Sequence, residues 1–205
     1  MQDKPRPTRA TVLHAVTKEI LARQDGQLPT DLADIATFFT DEEDLLGAVL
    51  LRWHTLLTAR LEHRVADEPD DRTRSVIDAW CDAANNYRGV LLLIDQLRAN
   101  PPSPAVARAV RATAHHDWAA LAVCAGLASA YDEPAIRVGQ RLELKARRRC
   151  SEDQSRDNRS NRAGLKKLKA MLKGRAHRMT TPRTGGLEKQ AHRGKGGPPS
   201  SHASG

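Results

Sequence analysis

The chain has 205 residues, 40% of them apolar, 3% aromatic and 28% charged, which suits one globular domain with an appendage better than two full domains. Apolar runs such as Val90 to Ile94 are far short of a bilayer span, and residues 1–8 lack the apolar stretch of a secretory signal. The net charge of +8 is split unevenly: residues 1–150 hold 20 Lys/Arg against 21 Asp/Glu, and residues 151–205 hold 13 against 4.

From the N-terminus, a first helix is predicted over about Thr8 to Gln24, where Val12, Leu13, Val16, Ile20 and Leu21 form one stripe on a 3.6-residue period. Asp25 and Gly26 supply its stop. Pro29 to Asp31 open a short second helix, with Leu32, Ile35 and Ala36 packing back on the first. Thr40 to Glu43 read as a capping box, with Thr40 at the N-cap, and start a long third helix to about Ala66. Leu46, Leu50, Trp53, Leu57 and Leu61 form its inner side, and the acid-rich stretch around Pro69 breaks it. A fourth helical stretch runs from about Thr73 to Ala99, with Ile77, Trp80, Ala84, Tyr87, Leu91 and Ile94 on one seam and Gly89 as the point where it can split. Ser103 and Pro104 then read as an N-cap followed by proline in the first turn, opening an Ala-rich helix to near Tyr131. Pro134 starts a last helix to about Arg149, whose apolar face of Ile136 and Leu142 is thin. No alternating apolar run is flanked by turn signals, so the expected fold class is all-α.

Three motifs in this order carry a resemblance: Val12 to Ala22, then Leu32 to Ala36 ending Asp-Ile-Ala, then Phe39 to Leu46 leading into Ala48 and Val49. Together they resemble the TetR family of bacterial repressors, and Ser103 to Val106 resembles the entry to one of its later helices. The resemblance covers residues 9–131. It implies an N-terminal DNA-binding region over 1–46 and a helical ligand-binding and dimerisation domain over 47–150, with 151–205 left as a basic low-complexity tail. A small-molecule ligand is implied too, as is a homodimer or a heterodimer with an intact relative. One departure matters more than the matches. The family places about a dozen residues between Asp-Ile-Ala and the aromatic before the long helix, forming the helix that enters the major groove. Here only Thr37 and Phe38 separate Ala36 from Phe39, and three residues span at most roughly 10 Å. The N-terminal helix-turn-helix is therefore truncated, and base-specific reading is impaired.

The basic end offers another way to hold DNA. Leu165, Leu168, Leu172 and Met179 can share one helical face, interleaved with Lys166, Lys167, Lys169, Lys173, Arg175 and Arg178. With Arg6 and Arg9 at the other end, these are the candidate nucleic-acid-binding residues, contacting phosphates without reading sequence. The competing expectations are a disordered, solvated tail with no partner, a helical interaction or ligand-sensing module that does not bind DNA, and a remnant whose reading frame drifted after residue 131.

Candidate chemical sites are few. Neighbouring residues on a helix point about 100° apart, so His115 and His116 cannot chelate one ion from the same face. His116 suits an inward, hydrogen-bonded position. Trp80, Tyr87, His116 and Trp118 are the candidate ligand-pocket residues, since the resemblance turns their seam toward a cavity; plain core filling is the competing reading. Cys81 and Cys124 read as small buried hydrophobes. The three cysteines, Cys150 included, are widely spaced without a C-x-x-C, which argues against disulfide and zinc frameworks and fits a reducing cytoplasm. No phosphate loop, metalloprotease or nucleophile-elbow motif is present, so neither an enzyme nor a bound cofactor or metal is expected.

Overall fold

The computed structural model describes residues 6–179, among which all regular structure is helical. The helices are α1 (Arg9–Arg23), α2 (Ile35–Phe38), α3 (Glu42–Asp67), α4 (Arg72–Asn86), α5 (Arg88–Ala99), α6 (Pro104–Cys124) and α7 (Glu133–Met179). The chain divides into two units, Met1–Arg156 and Asp157–Gly205.

Local chemistry sets most of the helix starts. Thr8 caps α1 in a reciprocal box: its hydroxyl accepts from the Thr11 amide at 3.2 Å, and the Thr11 hydroxyl accepts from the Thr8 amide at 2.7 Å. Ser103 accepts from the Val106 amide at 3.1 Å, with Pro104 in the first turn where its missing N–H costs nothing. The cap of α3 lies one residue later than the sequence suggests: Asp41, not Thr40, accepts from the Asp44 amide at 2.8 Å. Three acids in that first turn (Glu42, Glu43 and Asp44) suit the positive end of the helix dipole.

The first unit is built on a main core, with a small second cluster of Ala119, Ala122 and Ala135 between α6 and α7. The predicted stripes supply the main core: Val16 and Ile20 of α1, Leu50, Trp53 and Leu57 of α3, Trp80 of α4 and Ile94 of α5 are buried. Leu13, Leu21 and Tyr87, expected on the same seams, are only half-buried. The break between α4 and α5 falls at Tyr87 rather than at Gly89. Gly89 instead permits a close helix crossing, since a Cβ there would overlap the Ile20 carbonyl and α5 passes α1 with backbone almost on backbone. Gly139 does the same where α7 crosses Trp118 of α6.

Two expectations are corrected at the C-terminal side. Helix α6 ends at Cys124, ahead of Tyr131, where Gly126 takes the left-handed conformation with φ of 71°. Helix α7 runs past Arg149 to Met179, so the expected unstructured tail does not begin at 151. The reason is that a high charge content does not stop a helix, whereas proline does, and residues 135–181 contain none. Ion pairs one turn apart, Arg149 with Asp153 and Arg156 with Asp153, carry α7 through the change in composition. In the second unit the described residues are the continuation of α7, with Arg159, Arg162 and Leu165 exposed. Residues 180–205 lie outside the described residues.

Candidate functional site

The first candidate region is the N-terminal head. Between α1 and α3 the described chain holds only the four-residue α2, which leaves no helix of groove-inserting length. Arg6 is exposed. Arg9 is engaged within the fold: its guanidinium donates twice to the Asp44 carboxylate, at 2.7 and 3.1 Å, and once to the Phe38 carbonyl at 2.6 Å. It also lies 4.3 Å from the centre of the Phe39 ring. The Asp44 carboxyl is held below the usual aspartate range, first by that hydrogen bond from Arg9. Arg9 thus ties α1 to the start of α3, and its charge is already matched.

The second region is the basic part of α7. Lys166 and Lys167 are exposed there, beside an exposed Leu165. Lys169, Lys173, Arg175 and Arg178 lie on the same helix, with their side chains outside the described residues.

The third is the aromatic group, which the structure does not gather around one cavity. Trp80 is buried, Tyr87 and Trp118 are half-buried, and His116 is exposed, which corrects its expected inward position. The small 190 Å3 cleft at Trp118 includes none of the other three. A polar network occupies the space between the two tryptophans. Glu143 of α7, 6% exposed, accepts from Trp118 Nε1, from Arg147 Nε at 2.7 Å and from Arg98 at 3.3 Å. Arg147 makes a two-pronged pair with Asp95 of α5 at 2.9 Å and lies over Trp80, 5.2 Å from the ring centre. Burial alone would raise the Glu143 carboxyl, but Arg147 and Arg98 outweigh it and hold the group below the usual glutamate range.

A fourth feature has no signature along the sequence. Asp117, 4% exposed, accepts from Trp53 Nε1 at 3.0 Å and pairs with His54 Nδ1 at 2.7 Å. Burial pushes the Asp117 carboxyl up against the opposing pull of His54 and Trp53, while the bond to Asp117 raises His54. A partly exposed imidazole held by a buried carboxylate resembles half of an acid–base site, and His116 stands near it with ring centres 6.1 Å apart. No group of three His, Cys, Asp or Glu side chains among the described residues is placed to hold a metal.

The cysteines need a second correction. Cys81 of α4 and Cys150 of α7 form a disulfide with Cα atoms 5.6 Å apart, so Cys81 is not an isolated apolar filler. Cys124 is the free cysteine, half-buried, its thiol pushed up by burial and so not activated. The expectation of a reducing cytoplasm loses the support it drew from unpaired cysteines.

These features belong to an all-helical protein held by buried polar ties between helices, and no described helix is long and apolar enough to cross a membrane. Comparison with protein-family models, with curated proteins and with solved structures finds no match to this chain.

Proposed function

We propose that this chain is a TetR-like transcriptional regulator that holds DNA by its phosphates and lacks the helix that would read bases. One observation carries the reading: Lys166 and Lys167 stand exposed on an unbroken helix, about one turn beyond the exposed Arg162. Side chains repeating along one helix can track a phosphate backbone, each contact releasing a condensed counterion. A gel shift with full-length protein and an arbitrary duplex tests this. Affinity is expected to fall steeply between about 50 and 200 mM salt, with a log–log slope reduced by about 0.9 for each phosphate contact removed in Lys166→Glu and Lys167→Glu. A slope unchanged in the double variant would remove α7 from the interface.

A second reading, a helical interaction module that leaves DNA alone, is favoured by the matched charge of Arg9 together with the short segment between α1 and α3. Failure of the full chain to shift any duplex at low salt selects it.

A further inference from the structure

An open groove of about 1210 Å3 runs along the outer face of α3 from Asp44 to Asp67, walled at one end by α1 and on one side by α4. At a rise of 1.5 Å per residue that face is about 35 Å long. Its floor is apolar: Leu13, Ala48, Leu51, Leu56 and Ala59 line it, and Leu51 is 65% exposed. Leu51, open to water beside the half-buried Leu13, Ala48 and Leu56, leaves apolar surface that an apolar chain could cover.

The charges along the groove give the occupant a sign. Arg9 is paired with Asp44, His63 with Asp67 and Arg64 with Glu68. Arg52 and Arg60 have no carboxylate within ion-pair distance among the described residues, and Arg52 Nε is shielded from water without a hydrogen-bond partner. Asp82, on the α4 rim, is exposed and has no ion-pair partner either, so among the described residues two unmatched cations face one unmatched acid. Residues 151–205 carry 13 Lys/Arg against 4 Asp/Glu and are the wrong sign to lie there. A second copy pairing antiparallel about the groove's middle would set Arg52 of one chain near Arg60 of the other, a like-charge contact.

We propose that this groove binds an amphipathic organic anion, an apolar chain ending in a carboxylate, with the head on Arg52 or Arg60 and the chain along Leu51 and its neighbours. The two arginines are eight residues apart, about 12 Å along the helix, so one end of the chain is anchored and the rest covers the floor. The inference goes beyond the DNA reading and uses no residue of α7, so a negative gel shift leaves it standing.

Titration of the full-length protein with sodium dodecanoate below its micelle concentration, followed by calorimetry, tests it, with dodecanol and dodecyltrimethylammonium as the neutral and cationic counterparts. Saturable binding of dodecanoate is expected, with dodecanol at least about tenfold weaker and the cation weaker still. Arg52→Gln with Arg60→Gln should weaken dodecanoate about tenfold and leave dodecanol unchanged. Gly47→Leu should abolish binding of both: a Cβ at Gly47 meets nothing within 4 Å, so the new side chain enters the groove. Leucine is also the better helix former, so folding is retained. Equal affinity for acid and alcohol, or indifference to both sets of substitutions, overturns the proposal. So does a full-length protein that is dimeric by sedimentation and becomes monomeric in Gly47→Leu, since a second copy would then be the occupant.

Discussion

Asp117 shows what one buried charge can do at the level of a single residue. Its carboxylate joins the Trp53 indole and the His54 imidazole across α3 and α6. Both titrating groups are raised relative to their ordinary values, His54 from 6.5 and Asp117 from 3.8. The folded chain therefore binds more protons than the unfolded chain above those values, and stability must fall as pH rises. For His54 the contribution is complete below pH 6.5 and is lost as pH climbs through the raised folded value. Thermal midpoints measured from about pH 6 to 8.5 should decline, and His54→Gln should flatten the decline. A wild-type midpoint that rises over the same range contradicts the pairing. Glu143 has the opposite sign, its lowered pKa giving stability above 4.5 that disappears in acid. Glu143→Ala removes the shared acceptor of Trp118, Arg147 and Arg98, but Arg147 keeps Asp95. A loss of about 3 kcal/mol in urea unfolding is expected, near the lower end for a broken buried pair. A loss under about 1 kcal/mol would mean that water replaces the carboxylate.

Among the elements, helix starts are more legible in the sequence than helix ends. Ser103 accepts from the amide three residues on, as its place before Pro104 predicts, whereas Asp41 displaces Thr40 at α3, and Thr8 and Asp71 cap in the same way without being predicted as caps. The continuation of α7 past Arg149 is not legible, because its charged, low-hydropathy composition matches that of unstructured segments, although Lys, Arg, Glu and Gln are good helix formers. Gly89 also reads as a breaker, yet its lack of a Cβ serves the contact with Ile20, a fact about a neighbouring helix rather than about its own. Within the first unit the disulfide is the covalent tie between α4 and α7, closing 69 residues of chain. Reduction of the full chain, or Cys81→Ser, should lower stability by about 2–4 kcal/mol. Alkylation mass spectrometry checks the bond itself: Cys124 alone should label before reduction, and labelling of all three cysteines beforehand would refute it.

Over the molecule as a whole, the described buried apolar residues all lie between Val12 and Cys150. A chain ending at Arg156 should therefore unfold cooperatively with a midpoint within a few degrees of full length, roughly the effect of 1 kcal/mol or less. A broad, non-cooperative transition would show that residues 157–205 take part in the core. The helical class, the order of the helices and the short segment between α1 and α3 are all readable from the chain alone, because periodicity, caps and chain length are local properties. The placement of charge is readable too, since composition needs no geometry. Packing in three dimensions was needed to bring Cys81 to Cys150, Asp117 to Trp53 and His54, and Asp44 to Arg9, and to leave Arg52 and Arg60 on an open groove with no carboxylate paired to either. Those pairings depend on how helices cross and join residues up to 69 positions apart, and no spacing rule along one chain encodes which faces will meet.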